Sequence, residues 1–182
     1  KAIALKPDYA QAHSDLGAML QELDRRDEAI GSYKEAININ PDYIPAYTNM
    51  AFAIQGVQFK QFIPDLPEII FKILERKTLV RPLDIEAAAI SLLNCDPAIQ
   101  SALRKSSVEE IALSLQKNNL SLSNIPLLLK LMHSCPITNL KFETFFKNIR
   151  TALLLNISNV DDDPDILKLQ IAIASQCFIN EY

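Results

Sequence analysis

The sequence predicts an all-α fold, a helical-hairpin solenoid followed by an all-helical domain. Three observations lead there. Pro7-Asp8-Tyr9 returns as Pro41-Asp42-Tyr43, a spacing of 34 residues; Ala2-Ile3 returns in the same register as Ala36-Ile37, and Ala10-x-Ala12-His13 as Ile44-x-Ala46-Tyr47. A period of that length with two helices per repeat marks a stacked helical array. Elsewhere apolar residues recur at helical spacing, and no stretch shows the alternation of a half-buried strand. Hydrophobic residues make up 49% of the 182, with only 3 glycines, a balance that suits a helix-rich globular protein.

The elements follow in order. Residues 1–9 match the last nine positions of a repeat, 10–43 form a full one, and 44–58 supply the first helix of a degenerate one. Leu16, Ala18-Met19-Leu20 and Leu23 give one apolar stripe, and Ala29-Ile30, Tyr33 and Ala36-Ile37 give another. The polar turn Asp24-Arg25-Arg26-Asp27 between them allows only antiparallel neighbours. Glycine costs about 1 kcal/mol against alanine inside a helix, so Gly17 predicts close approach of the partner helix, with Ala29 facing it. Pro41 ends the second helix, and Asp8 and Asp42 are expected to cap the helices that follow them. Ile44, Ala46, Tyr47, Met50-Ala51 and Ile54 continue the stripe of a first helix to about Gln58. Ile63 and Pro67 then stand where Ala29 and Tyr33 would recur, and Pro64 and Pro67 forbid an uninterrupted helix, so the array is expected to end near residue 60.

Residues 65–182 read as an all-helical domain. Asp65-Leu66-Pro67-Glu68 predicts a capped start with an early-turn proline, and Ile69-Ile70 and Ile73-Leu74 a buried face to about Lys77. Residues 84–94 are almost wholly apolar and predict a central helix. Asp96-Pro97 opens a short helix to about Lys105; Ser107 with Glu110 forms a capping-box pattern for another to about Lys117. A polar link at 118–124 precedes an apolar helix at 125–133, closed by Cys135-Pro136. Phe142, Phe145-Phe146, Ile149 and Ala152-Leu153 make 139–156 the clearest amphipathic helix, with Lys141, Lys147 and Arg150 off its stripe. Asp161-Asp162-Asp163-Pro164 is an acidic cap leading into 166–178.

The repeat region resembles the tetratricopeptide repeat (TPR) family. The matching positions are His13, Leu16-Gly17, Leu20, Ala29, Tyr33, Ala36 and Pro41, with His13 where the family often has Trp and Leu20 where it often has Tyr. The resemblance implies a concave groove, lined by the first helix of each repeat, that takes extended peptides. Its positions here are Gln11, Ser14, Asp15, Ala18 and Gln21, then Thr48, Asn49, Phe52 and Gln55. Asn49 stands where related arrays carry an asparagine that bonds a peptide backbone; Asp15 departs from that pattern. Ser14, Asp15 and Ala18 cannot supply a cationic clamp, so no preference for acidic C-terminal tails is expected.

The later region resembles the helical linker of TPR proteins fused to a class I S-adenosylmethionine-dependent methyltransferase. Pro126-Leu-Leu-Leu-x-Leu-Met, Leu140-Lys-Phe-Glu143 with Ile149-Arg150-x-x-Leu153-Leu154, and the run from Gln176 to Tyr182 carry that likeness. Two functions are therefore expected in different classes: a non-catalytic interaction or scaffold module using the TPR groove, or the N-terminal recruiting region of such a methyltransferase fusion. The chain starts inside a helical pattern and stops in another, so it is expected to be a piece of a larger protein. An excised repeat end, exposing Ala2, Ile3 and Leu5, would invite self-association.

The chemistry weighs toward binding rather than catalysis. Gly17, Gly31 and Gly56 all fall in helical patterns, leaving no glycine-rich turn for a nucleotide or S-adenosylmethionine, and no cofactor is expected. Cys135 and His133 would point apart on a helix end and lack a third partner; a buried thiol and a surface imidazole are expected. Asp161, Asp162, Asp163 and Asp165 lack the glycine and the distal glutamate of a calcium loop, and with Cys95, Cys135 and Cys177 widely scattered no metal site is expected. Phe142, Phe145 and Phe146 read as core. A net charge of −4 gives no basic footprint for nucleic acid, and no apolar run spans a membrane. The partner class is therefore protein or peptide, in a reducing, cytoplasmic setting.

Overall fold

The computed structural model describes residues 9–76, 79–104, 107–116, 121–155 and 164–180; the side chains at 115, 116, 121, 123 and 177–180 also stand outside the description. Among the described residues every regular element is helical and there is no strand. The elements are α1 (Ala10–Glu22), α2 (Arg26–Ile39), α3 (Ile44–Ile54), α4 (Leu66–Glu75), α5 (Pro82–Asn94), α6 (Pro97–Arg104), α7 (Val108–Gln116), a 3-10 turn (Ser121–Asn124), α8 (Pro126–Ser134), α9 (Leu140–Leu155) and α10 (Pro164–Asn180).

Two compact units divide the chain: Lys1–Gln58 with Pro64–Ala88, and Phe59–Ile63 with Ala89–Tyr182. The expected break between 60 and 65 is therefore displaced, and the division falls within α5. The reason is packing: α4 lies against α3, so the helix after the prolines joins the repeat region rather than starting a new body.

In the first unit α1 and α2 pack along one another across a three-residue link, residues 23–25, in which Asp24 takes the left-handed conformation at φ 58°. α3 packs on both. The second helix keeps its expected face, with Ala29, Ile30, Tyr33, Ala36 and Ile37 buried. The first does not. Its buried residues are Ala10, Ala12, Ser14, Gly17 and Leu20, whereas Met19 and Leu23 are 64% and 67% exposed. α1 meets its neighbours mostly through small side chains together with Leu20, while Leu16, Met19 and Leu23 are exposed. Gly17 explains why: a Cβ there would stand 2.5 Å from Cε1 and 2.7 Å from Cδ1 of Tyr33. The close approach is real, but the facing group is the Tyr33 ring rather than Ala29.

α3 stops at Ile54, earlier than the expected Gln58. Gly56, at φ +71°, supplies the left-handed step that ends a helix, so it is not a helix-interior glycine. Arg26 Nη1 reaches the Gln55 carbonyl at 3.5 Å across this turn. Neither α1 nor α3 has a side-chain cap: Tyr9 and Tyr43 occupy the cap positions, and the Asp42 amide instead donates to Asn40 Oδ1 at 3.0 Å in a tight turn. Asp8 lies outside the described residues. Asp65 does sit at the cap of α4, yet its carboxylate caps nothing. It pairs with Lys34 of α2 at 3.0 Å, and its backbone is left-handed at φ 65°. From α4, Arg76 places its guanidinium 4.0 Å over the buried Tyr47 ring, a cation–π contact that ties α4 to α3.

The second unit is built from larger side chains. Phe142, Phe145, Phe146, Ile149, Ala152 and Leu153 are all buried, as the stripe of α9 predicts, while Lys141, Lys147 and Arg150 are exposed. α9 packs on α7, and α8 on α10. Its helix starts follow local chemistry. Asp96 Oδ1 accepts from the Ala98 and Ile99 amides, Ser107 and Glu110 close a reciprocal capping box, and Asn139 Oδ1 accepts from Lys141 and Phe142. Pro164 opens α10, while Asp161, Asp162 and Asp163 lie outside the described residues. α5 is buried at Ile85, Ala88-Ala89-Ile90 and Leu92-Leu93, and it also buries Glu86 and Ser91. The Ser91 hydroxyl accepts from the Phe59 amide at 2.9 Å, which fastens the 59–63 segment.

Candidate functional site

The expected groove residues come from α1 and α3, helices one repeat apart. What brings these helices together is the small-residue face of α1. With Gly17 seated on Tyr33, α1 lies low enough for Ser14 to meet α3, where Asn49 Nδ2 donates to Ser14 Oγ at 3.4 Å. Ser14 is only 2% exposed. It is therefore a link between helices and not a contact for a ligand, which corrects its place among the groove positions.

The remaining eight divide by availability. Gln11, Asp15 and Phe52 are exposed, the last by 54%; Ala18, Gln21, Thr48, Asn49 and Gln55 are half-buried. Some are already engaged within the protein. Gln21 Oε1 accepts from the Tyr33 hydroxyl at 3.2 Å, Gln11 Oε1 from the Tyr9 hydroxyl at 2.9 Å, and the Thr48 hydroxyl donates to the Ile44 carbonyl at 3.2 Å. Those contacts order the side chains at little cost to their exposure. Asn49 differs: one of its amide hydrogens is spoken for, and the side chain remains half open. An asparagine held in this way can still accept through Oδ1 and donate through its other hydrogen, the pair of bonds an extended backbone offers.

Two functional candidates escaped the reading of the sequence. Tyr9 and Tyr43 stand one period apart, each at the start of a groove helix. Tyr9 is 41% exposed and Tyr43 half-buried. Burial, and then the negative charges of Asp15 and Tyr9, push the Tyr43 phenol above its usual value. The repeated Pro-Asp-Tyr carries both tyrosines one period apart.

Two concavities lie elsewhere. One of about 470 Å³ in the first unit is lined by residues of α1, α2 and their link, including His13, Leu16, Arg25 and Glu28; none of the nine expected positions borders it. Arg25 and Glu28 pair there at 2.6 Å. Another of about 350 Å³ in the second unit has Leu103, Leu140 and Phe145 as its apolar lining, with Lys141, Thr144 and Asn148.

Cys135 is buried with its thiol 3.7 Å from the Leu131 carbonyl, whereas His133 is exposed and donates from Nδ1 to the Leu129 carbonyl at 2.6 Å. Asp165 pairs with Lys168 at 2.9 Å. The Phe142 and Phe146 rings pack at 5.8 Å between centroids within the core. Among the described residues no three of His, Cys, Asp and Glu gather as a metal site, and no helix is long and apolar enough to cross a membrane. Ala2, Ile3 and Leu5 lie outside the described residues. No family model, curated protein or solved structure matches this chain.

Proposed function

We propose that this chain is a non-catalytic protein-interaction module of the TPR kind, holding an extended peptide across α1 and α3. One observation carries the reading. The Asn49–Ser14 contact joins the first helices of successive repeats, and it leaves a half-open asparagine amide beside the exposed Phe52. The 34-residue period and the packing of α1, α2 and α3 support the same reading, since a hairpin followed by the first helix of the next is the arrangement a repeat array requires. A peptide would align its backbone with Asn49 and rest an apolar side chain on Phe52, in the manner of extended segments that gain affinity from main-chain bonds.

Selection of short random peptides, displayed on phage, against the full chain tests this. Asn49→Ala should weaken the best selected peptide by roughly fivefold to tenfold, the size of one lost hydrogen bond; because it also removes the bond to buried Ser14, helix content at the assay temperature is compared with wild type beside the affinity. Unchanged affinity would remove Asn49, and with it the groove, from the account.

A further inference from the structure

We propose that the open side of α1 is a docking site for an amphipathic helix of a partner protein, seated on α1 as α2 is seated on α3. This surface is separate from the peptide groove, and the inference does not depend on that reading.

The internal repeat supplies the argument. Leu16, Met19 and Leu23 lie at i, i+3 and i+7 along one side of α1, and they are 38%, 64% and 67% exposed. One period later the chain places Met50 and Ala53 at the positions of Leu16 and Met19, and both are fully buried. The difference lies in what precedes each helix. α2 packs along α3, whereas among the described helices none stands before α1. Equivalent apolar side chains are thus covered in one repeat and open in the other, and a patch of that kind marks an interaction surface.

The same equivalence gives the shape and charge of the occupant. The concavity of about 470 Å³ between α1 and α2 continues the patch through Leu16, with Leu20 in the same wall. Its other wall holds Glu28, Gly31 and Glu35 of α2. One period after Gly31 stands Asp65, where α2 is clasped to the next repeat: Lys34 Nζ pairs with Asp65 at 3.0 Å and donates to the Pro64 carbonyl at 3.3 Å. A helix lying on α1 in the same way brings its counterpart of Lys34 to Gly31, between two carboxylates. Glu28 is already paired with Arg25, while Glu35 is exposed and has no cationic partner among the described residues. The occupant is therefore a helix with an apolar stripe toward α1 and a lysine or arginine toward Glu35, held in the helix-in-groove mode.

Titration of the full isotope-labelled chain with a synthetic helix, followed by NMR, tests this. The probe is the α2 sequence Arg26–Ile39, kept helical by a cross-link between positions 27 and 31. Amide shifts should gather around Leu16, Met19, Leu23 and Glu35. Met19→Glu in the chain should weaken the probe about tenfold, because it sets a carboxylate under an apolar stripe. Glu35→Lys should weaken it about threefold to fivefold, and a probe carrying Lys34→Glu should recover most of that loss. No shifts at all, shifts confined to the surroundings of Asn49, or full retention on Met19→Glu overturns the proposal. An equal response of both probes to Glu35→Lys overturns the basic residue in it. Sedimentation showing self-association that Met19→Glu abolishes overturns it too, since a second copy would then cover this face. Met19 and Glu35 are exposed, so unchanged helix content in both variants excludes misfolding as the cause. The peptide groove stands or falls separately, on Asn49→Ala and the phage-selected peptides.

Discussion

The two units solve the same problem, holding short helices together, by different means. In the first, α1, α2, α3 and α4 all begin without a side-chain cap, and α1 packs through Ala10, Ala12, Ser14 and Gly17. In the second, Asp96, Ser107 and Asn139 satisfy the free amides of α6, α7 and α9, and Phe142, Phe146 and Leu128 fill the interior. One region is specified by how closely its neighbours fit, the other by local chemistry at helix starts and by bulk in the middle. Helices without caps depend more on tertiary contact, because isolated helices of this length are marginal in water.

The comparison can be broken most forcefully at Phe142. It is fully buried in the second unit, and Phe142→Ala should cost about 3–5 kcal/mol by chemical denaturation; a loss below about 1 kcal/mol would show that bulk is not what holds this unit. Gly17→Ala is the counterpart in the first. Overpacking against the buried Tyr33 ring costs up to about 3 kcal/mol and helix propensity returns about 1 kcal/mol, so the net loss should be about 2 kcal/mol. Gly31→Ala meets nothing within 4 Å and should stabilise by about 0.5–1 kcal/mol in the same assay. Equal responses from the two glycines would contradict the close-fit account.

Caps give a smaller and sharper contrast. Asn139→Ala should lose about 1 kcal/mol, while Asp42→Ala, whose side chain caps no helix, should stay within about 0.5 kcal/mol of wild type. The smallest effect is alkaline. Burial raises the Tyr33 phenol, and burial with Asp15 and Tyr9 raises that of Tyr43. Below the ordinary value of 10.0 both phenols are neutral, folded or unfolded, and contribute no pH dependence. Above it the unfolded chain ionises first, so stability should fall as pH rises until the folded phenols ionise too. Denaturation midpoints on either side of that value, in wild type and Tyr33→Phe, check it; a midpoint that rises through this range would reverse the sign.

How much could be read from residues alone follows the same division. The capping box at Ser107 and Glu110, the Asp96-Pro97 start and the six-residue stripe of α9 are local patterns, and each appears where the spacing places it. The caps expected from Asp42 and Asp65 failed because other groups compete: a neighbouring amide turn in one case, a lysine on α2 in the other. Hydrophobicity marked α1 as amphipathic but misassigned its face, since Leu16, Met19 and Leu23 outweigh Ala12, Ser14 and Gly17 on any such scale. At the candidate site the period assigns the nine positions to α1 and α3. It could not show Ser14 turned inward onto Asn49, because that depends on a helix one repeat away.

Asp65 illustrates how narrow the choice at a single position can become. Its backbone demands a residue comfortable at φ 65°, which among the common amino acids means glycine, asparagine or aspartate. Its partnership with Lys34 demands an anion. Among these three only aspartate meets both requirements, so one residue carries both the chain's change of direction into α4 and its electrostatic anchor on α2.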